Sequence, residues 1–258
     1  MASFSRSGET LVQRCLNAHP DIEVVHQIRD PDTKEDMELF RFLKRSGNSA
    51  LASNNRLLAH KKLHDRSVLV LKNAVWIHKG PRQGFILVRN PFSLAVSSFR
   101  HNENPDSEVT HRKQQVRWCN GIDSLMLPYV RTTDNLSAWM ALYTRKMLHD
   151  FNSGLPIVRY EDFIADPERS LRKIVRHLGL EWSDRLLQSH ADYEQGEIGH
   201  GKIKLWRPIH QNSSEKYKRL THQQLGLVYS LTAPVLDAYG YRWDGSTIEA
   251  LDFDDRFR

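Results

Sequence analysis

Along this chain, short unbroken apolar runs alternate with segments whose apolar residues recur every three or four positions. Residues 67–71 (Ser-Val-Leu-Val-Leu) and 84–88 (Gly-Phe-Ile-Leu-Val) have the pattern of strands buried on both faces. Residues 2–4 supply the end of a further strand, and Ile22–Val25 is a β-branched run. Residues 155–160 read as another strand, with Pro156 confined to its first position or to an edge. Helical spacing follows most of these runs. Leu11, Val12, Cys15 and Leu16 share one face, and Leu94, Ala95, Ser98 and Phe99 share another behind Pro91 at a first helical position. Further helices are predicted over 122–130, over 136–151 with Thr133 or Asp134 as cap, over 167–178 with Gly179 as stop, and from a Thr221 cap to Ala238. Residues 30–65 are polar with two weak helical patterns, and 101–117 reads as a loop. Residues 189–214 lack periodicity, and about 192–214 is expected to be a mobile loop serving as a lid. Strands alternating with helices define the fold class as α/β, a mainly parallel central sheet flanked by helices, in one domain over 1–258.

Composition narrows the function classes. The chain has 258 residues, 40% hydrophobic and 26% charged, which suits a packed soluble domain. No apolar run approaches the ~20 residues of a membrane span, and no signal-peptide pattern opens the sequence. Its two cysteines, Cys15 and Cys119, give neither a disulfide framework nor metal-ligand spacing, so a cytoplasmic setting and no metal are expected. A net charge of +6 calls for an anionic partner. Basic and acidic residues are nearly balanced (37 against 31) and dispersed, which favours a small polyanion over nucleic acid.

In parallel α/β sheets, ligands bind beyond the C-terminal ends of the strands. The predicted strands deliver Ser5 to Thr10, His26, Lys72, Arg89 and Glu161 to that edge. The first of these is a strand–turn–helix, Ser5-Arg6-Ser7-Gly8-Glu9-Thr10, in which a helix N-terminus, a close-approach glycine, two hydroxyls and a cation meet. The second is Arg89 with Ser97 eight residues on, a strand end and a point two turns into a helix, both able to reach one phosphate. A nucleotide kinase of the P-loop type is the competing enzyme, but no lysine follows Gly8. A nucleic-acid- or nucleotide-binding protein without catalysis is the competing non-enzyme.

With both anchors present, the chain resembles the sulfotransferases that use 3′-phosphoadenosine 5′-phosphosulfate. Their phosphosulfate loop, Pro-(Lys/Arg)-Ser-Gly-Thr-Thr, is matched by residues 5–10. Their Arg-(Asn/Asp)-Pro motif with a later serine is matched by Arg89-Asn90-Pro91 through Ser97, and Arg159-Tyr160-Glu161-Asp162-Phe163 matches a recurrent strand end. The resemblance implies a P-loop-like sulfotransferase fold and transfer of a sulfuryl group to a hydroxyl or amine of a small-molecule acceptor. It places Arg6, Ser7, Gly8, Glu9 and Thr10 at the 5′-phosphosulfate and Arg89 and Ser97 at the 3′-phosphate, and it adds Tyr160 and Lys216 to the cofactor-binding set. Lys202, Lys204, Arg207 or Lys216 would stand in for a glycine-rich closing stretch.

The small-molecule branch carries its catalytic histidine in Lys-Thr-His, where this chain has Lys72-Asn73-Ala74. Loop-to-strand spacing instead resembles the tyrosylprotein and bacterial-type branch, whose catalytic glutamate aligns with His26. His26 is therefore the expected general base, Lys72 the group facing the transferring sulfuryl, and Arg6 the charge on the bridging oxygen. Glu9 replaces a threonine, so its carboxylate is expected to point outward or to meet a cation such as Arg14 or Arg29. Trp206 is expected to form part of the lid.

Overall fold

The computed structural model describes residues 1–25, 68–71, 84–99, 105–199, 203–209 and 216–257. The apolar runs form five strands whose pairings are all parallel: β1 (Ala2–Ser3), β2 (Ile22–Val25), β3 (Val68–Leu71), β4 (Ile86–Val88) and β5 (Ile157–Arg159). They make a three-stranded sheet in the order β1–β4–β5 and a β2–β3 pair. Ala2 lies opposite Ile86, Leu87 opposite Val158, and Val88 opposite Arg159. Alternate side chains of a strand point to opposite faces. Here Ala2, Phe4, Ile86, Val88 and Ile157 enter one core, while Met1, Phe85, Leu87 and Val158 enter a second. Burial on both faces is why these runs are continuously apolar rather than alternating.

Helices cover each face. α1 (Glu9–Asn17) follows β1, and α2 (Pro91–Phe99) follows β4. α3 (Pro105–Ile122), α4 (Leu127–Thr132) and α5 (Asn135–Phe151) come next. α6 (Tyr160–Ala165) and α7 (Pro167–His177) follow β5, and α8 (His222–Ala238) comes later. The first core is built with α2, α3, α5 and α8, and the second with α1, β2, β3, α6 and α7. In the first core Phe4 packs edge-on against Trp118 at 5.1 Å, Tyr143 at 5.4 Å and Trp139 at 6.0 Å. The residue that leads into the first anion motif is thus held by three aromatic rings.

Several expectations change. Residues 105–117 are helix, not loop. The N-terminal half of α3 is polar, and the apolar residues that dock it, Trp118, Cys119 and Ile122, sit in its last turns. The helix expected over 122–130 is broken at Asp123, whose carboxylate accepts from the Leu125 N–H at 3.1 Å and starts a short 3-10 turn. The α5 cap is Asp134, accepting from the Ser137 N–H at 2.9 Å, while Thr221 caps α8 in a reciprocal box with Gln224. Within 189–209 lie a 3-10 turn (Ser189–Asp192) and an antiparallel pair, β6 (Ile198–Gly199) with β7 (Ile203–Lys204). The chain closes with a hairpin that the sequence reading did not predict, β8 (Tyr241–Trp243) and β9 (Ile248–Ala250). At its turn the Asp244 carboxylate accepts from the N–H groups of Thr247 and Ser246, at 2.7 and 2.8 Å.

Candidate active site

Between β1 and α1 the backbone turns through two left-handed positions, Arg6 at φ 75° and Gly8 at φ 98°. Gly8 is the N-cap of α1, and the Leu11 and Val12 N–H groups return to its carbonyl at 3.0 and 3.2 Å. The first N–H groups of any helix lack acceptors within it and carry the positive end of its dipole. Gly8 is needed twice over. A Cβ there would be strained at that φ and would lie 2.2 Å from Cδ2 of Tyr160. Tyr160, first residue of α6 at the end of β5, is therefore pressed against the loop.

The second motif meets the first directly. The Arg89 guanidinium lies over the Tyr160 ring, 4.6 Å from its centre, and Nη1 donates to the Arg6 carbonyl at 3.1 Å. From α2, the Ser97 hydroxyl accepts from Nε of Arg6 at 3.0 Å. Arg6, Gly8, Arg89, Ser97 and Tyr160 are thus one constellation. Burial holds the Arg6 guanidinium below its ordinary pKa; the Glu9 carboxylate opposes that shift and the Arg89 charge adds to it. Two neighbouring arginines repel each other, and an anion shared between them would relieve the repulsion. Ser7 is fully buried and its hydroxyl has no hydrogen-bond partner among the described residues. Such an orphaned donor beside a helix N-terminus fits a phosphate-bearing ligand.

Glu9 does not point outward: it is buried, and its carboxylate acts on the Arg6 cation. Arg14 is committed elsewhere. It is buried, donates to the Leu205 and Arg207 carbonyls at 2.8 and 2.7 Å and to the Ser189 hydroxyl at 3.2 Å, and so ties those three residues to α1. Arg29, His26, Lys72 and Lys202 lie outside the described residues. Lys216 opens a 3-10 turn (Lys216–Arg219) that packs on α2, the helix carrying Ser97. Thr10 lies in the first turn of α1. Lys204 is exposed, with its ammonium 5.9 Å from the ring centre of Trp206. Among the described residues no group of three or more His, Cys, Asp or Glu is placed to hold a metal ion, and no helix is long and apolar enough to cross a membrane.

The sulfotransferase domain family matches residues 1–195, three quarters of the chain and every element of this constellation. The chain belongs to the sulfotransferase family. Solved structures agree in fold. The sulfotransferase domain of the curacin biosynthetic pathway superposes with a TM-score of 0.55 at 16% identity, over 91% of this chain and 95% of that one. The sulfotransferase domain of the Synechococcus PCC 7002 olefin synthase gives 0.52 at 16% identity, over 89% and 92%. This sulfotransferase has the α/β, P-loop-like architecture expected of it.

Four residues of the sulfotransferase site escaped the sequence reading as contacts. Tyr143 donates its hydroxyl to the Arg89 carbonyl at 2.8 Å. Glu161 accepts from Asn90, and Tyr241 donates to Glu161. Arg159, 5% exposed, donates to Asp162 at 2.7 Å and to the carbonyls of Gly240 and Leu251 at 2.8 and 2.7 Å. Arg159 and Glu161 stood in the sequence as parts of the 159–163 strand-end motif, without their partners, while nothing in the sequence marked Tyr143 or Tyr241.

Proposed function

We propose that this sulfotransferase moves a sulfuryl group from 3′-phosphoadenosine 5′-phosphosulfate to a hydroxyl or amine of a small-molecule acceptor in the cytoplasm. The observation that carries the reading is the convergence of Arg89 and Ser97 on Arg6, beside the left-handed Gly8 and the orphaned Ser7 hydroxyl. When bound, the cofactor supplies the transferable sulfuryl group. Arg6, Ser7, Thr10 and the backbone around Gly8 hold its 5′-phosphosulfate, while Arg89 and Ser97 hold the 3′-phosphate, with Lys216 and Tyr160 nearby. Developing charge on the leaving phosphate oxygen is met by Arg6 and the helix N-terminus. Glu9, inside the loop, acts by moderating Arg6 rather than by touching the anion. His26 takes the acceptor's proton and Lys72 faces the transferring group. Leu205 and Arg207, tied to α1 through Arg14, flank Trp206, which covers the acceptor as part of a lid. The structural neighbours, one named for an olefin synthase and the other for a biosynthetic pathway, support a small-molecule acceptor.

Calorimetry with adenosine 3′,5′-bisphosphate and with ATP tests the reading. The bisphosphate is expected to bind, ATP not, and Arg89→Ala to abolish the signal. Binding of ATP alone would overturn the proposal in favour of a nucleotide kinase. His26→Ala should then retain bisphosphate affinity while losing turnover.

A further inference from the structure

Arg89 is useful to a phosphate only if its backbone holds one direction, and the structure shows what holds it. The residue after it, Asn90, gives both its backbone N–H (3.2 Å) and its side-chain amide (2.5 Å) to one oxygen of Glu161. The other oxygen of Glu161 receives the Tyr241 hydroxyl at 2.7 Å. Asn90 uses its side-chain oxygen, Oδ1, to accept from the Ser93 N–H at 2.8 Å, within the first turn of α2. One carboxylate therefore fixes the peptide that follows Arg89 and, through Asn90, the start of the helix that presents Ser97. Bonds to an ionised acceptor are the stronger class, so Glu161 constrains both groups more than a neutral partner would. Tyr241 is buried. Burial, and then the Glu161 carboxylate, push its phenol well above its ordinary pKa, so it remains a donor.

We propose that Glu161 is the positioning residue of the 3′-phosphate half-site and that Tyr241 is its outer support. The C-terminal hairpin, which lies beyond the residues matched to the family, then sets how strongly the protein distinguishes a nucleotide with a 3′-phosphate from one without. The inference rests on the reading of Arg89 and Ser97 as the 3′-phosphate anchors. Neither Glu161 nor Tyr241 touches the ligand; both act through Asn90.

The test is calorimetry on the whole protein with two probes, adenosine 3′,5′-bisphosphate and adenosine 5′-monophosphate. Wild type is expected to prefer the bisphosphate. Glu161→Gln should weaken bisphosphate binding about tenfold and Tyr241→Phe severalfold, with monophosphate affinity unchanged in both. Equal losses for both probes would reduce the network to general support of the fold and overturn the inference. So would an undiminished preference for the bisphosphate in both variants. A wild-type protein with no preference would instead bring down the 3′-phosphate reading itself, and the inference with it. If Glu161→Gln does not fold, as judged by thermal unfolding, Tyr241→Phe decides alone, because it removes a single oxygen and leaves the ring that packs near Arg159.

Discussion

Arg89 and Arg159 end adjacent parallel strands, with Arg159 opposite Val88 in register, yet the fold uses them differently. Arg159 is absorbed by the protein: it pairs with Asp162, caps the carbonyls of Gly240 and Leu251, and lies 4.1 Å from the ring centre of Phe253. Arg89 is turned toward the loop between β1 and α1, over Tyr160 and beside a second cation, Arg6. The same residue type at the same kind of strand end is in one case a clasp and in the other a second cation set beside Arg6. The difference lies in what arrives from elsewhere in the chain. A carboxylate three residues on and a C-terminal hairpin close around Arg159, whereas a loop with positive charge meets Arg89. A cation crowded against another cation at a helix N-terminus is the functional candidate.

The contrast can be broken by substitution. The largest effect is expected from Arg159→Ala, which leaves buried carbonyls without donors. Urea unfolding should show a loss of about 3 kcal/mol or more, and an unchanged midpoint would remove Arg159 from its structural role. Gly8→Ala comes next. It combines positive-φ strain of roughly 1–2 kcal/mol with displacement of Tyr160, and bisphosphate affinity by calorimetry should fall more than the strain alone implies. Adding Tyr160→Ser should restore part of that loss, and no recovery would show that the ring contact is irrelevant to the loop.

Arg89→Lys keeps the charge but loses the planar stack and fork. Binding is expected to weaken about tenfold while unfolding is nearly unaltered. A stability loss matching that of Arg159→Ala would erase the distinction between the two strand ends.

The smallest effect concerns a basic group outside both strand ends. His111 accepts at Nδ1 from the Trp139 indole at 3.3 Å, and burial lowers its pKa below 6.5. The unfolded chain therefore binds this proton more readily, so stability falls as pH drops below the unfolded value. His111→Gln should flatten a small part of that acid sensitivity in thermal scans between pH 7 and pH 5, and an identical pH profile would count against it.

Much of the site was legible because it is local. Gly8 between a strand and a helix, Pro91 at a first helical position, and apolar runs buried on both faces are written in neighbouring residues. The convergence of Arg6, Arg89 and Ser97 followed from parallel strands whose ends share one edge. What was not legible depends on distant partners. Nothing near Arg14 announces carbonyls at Leu205 and Arg207, and Glu161 gives no sign of Tyr241, 80 residues away. α3 was missed because its N-terminal half has no apolar face and is carried by residues in its last turns. The terminal hairpin did offer a signal, Asp244-Gly245, flanked by strands only three residues long. His26 and Lys72 fall outside the described residues, so the base stands on resemblance alone.

The packing of Phe4 has a consequence of another kind. Trp118 and Trp139 stand within 5.1 and 6.0 Å of its ring and 5.2 Å from each other, and Phe4 is two residues from Arg6. Two indoles are thereby packed against the strand that leads into the loop at Arg6. If the proposed anion binds beside Arg6, the field at both indoles changes with it, and their fluorescence would report the binding without an added label.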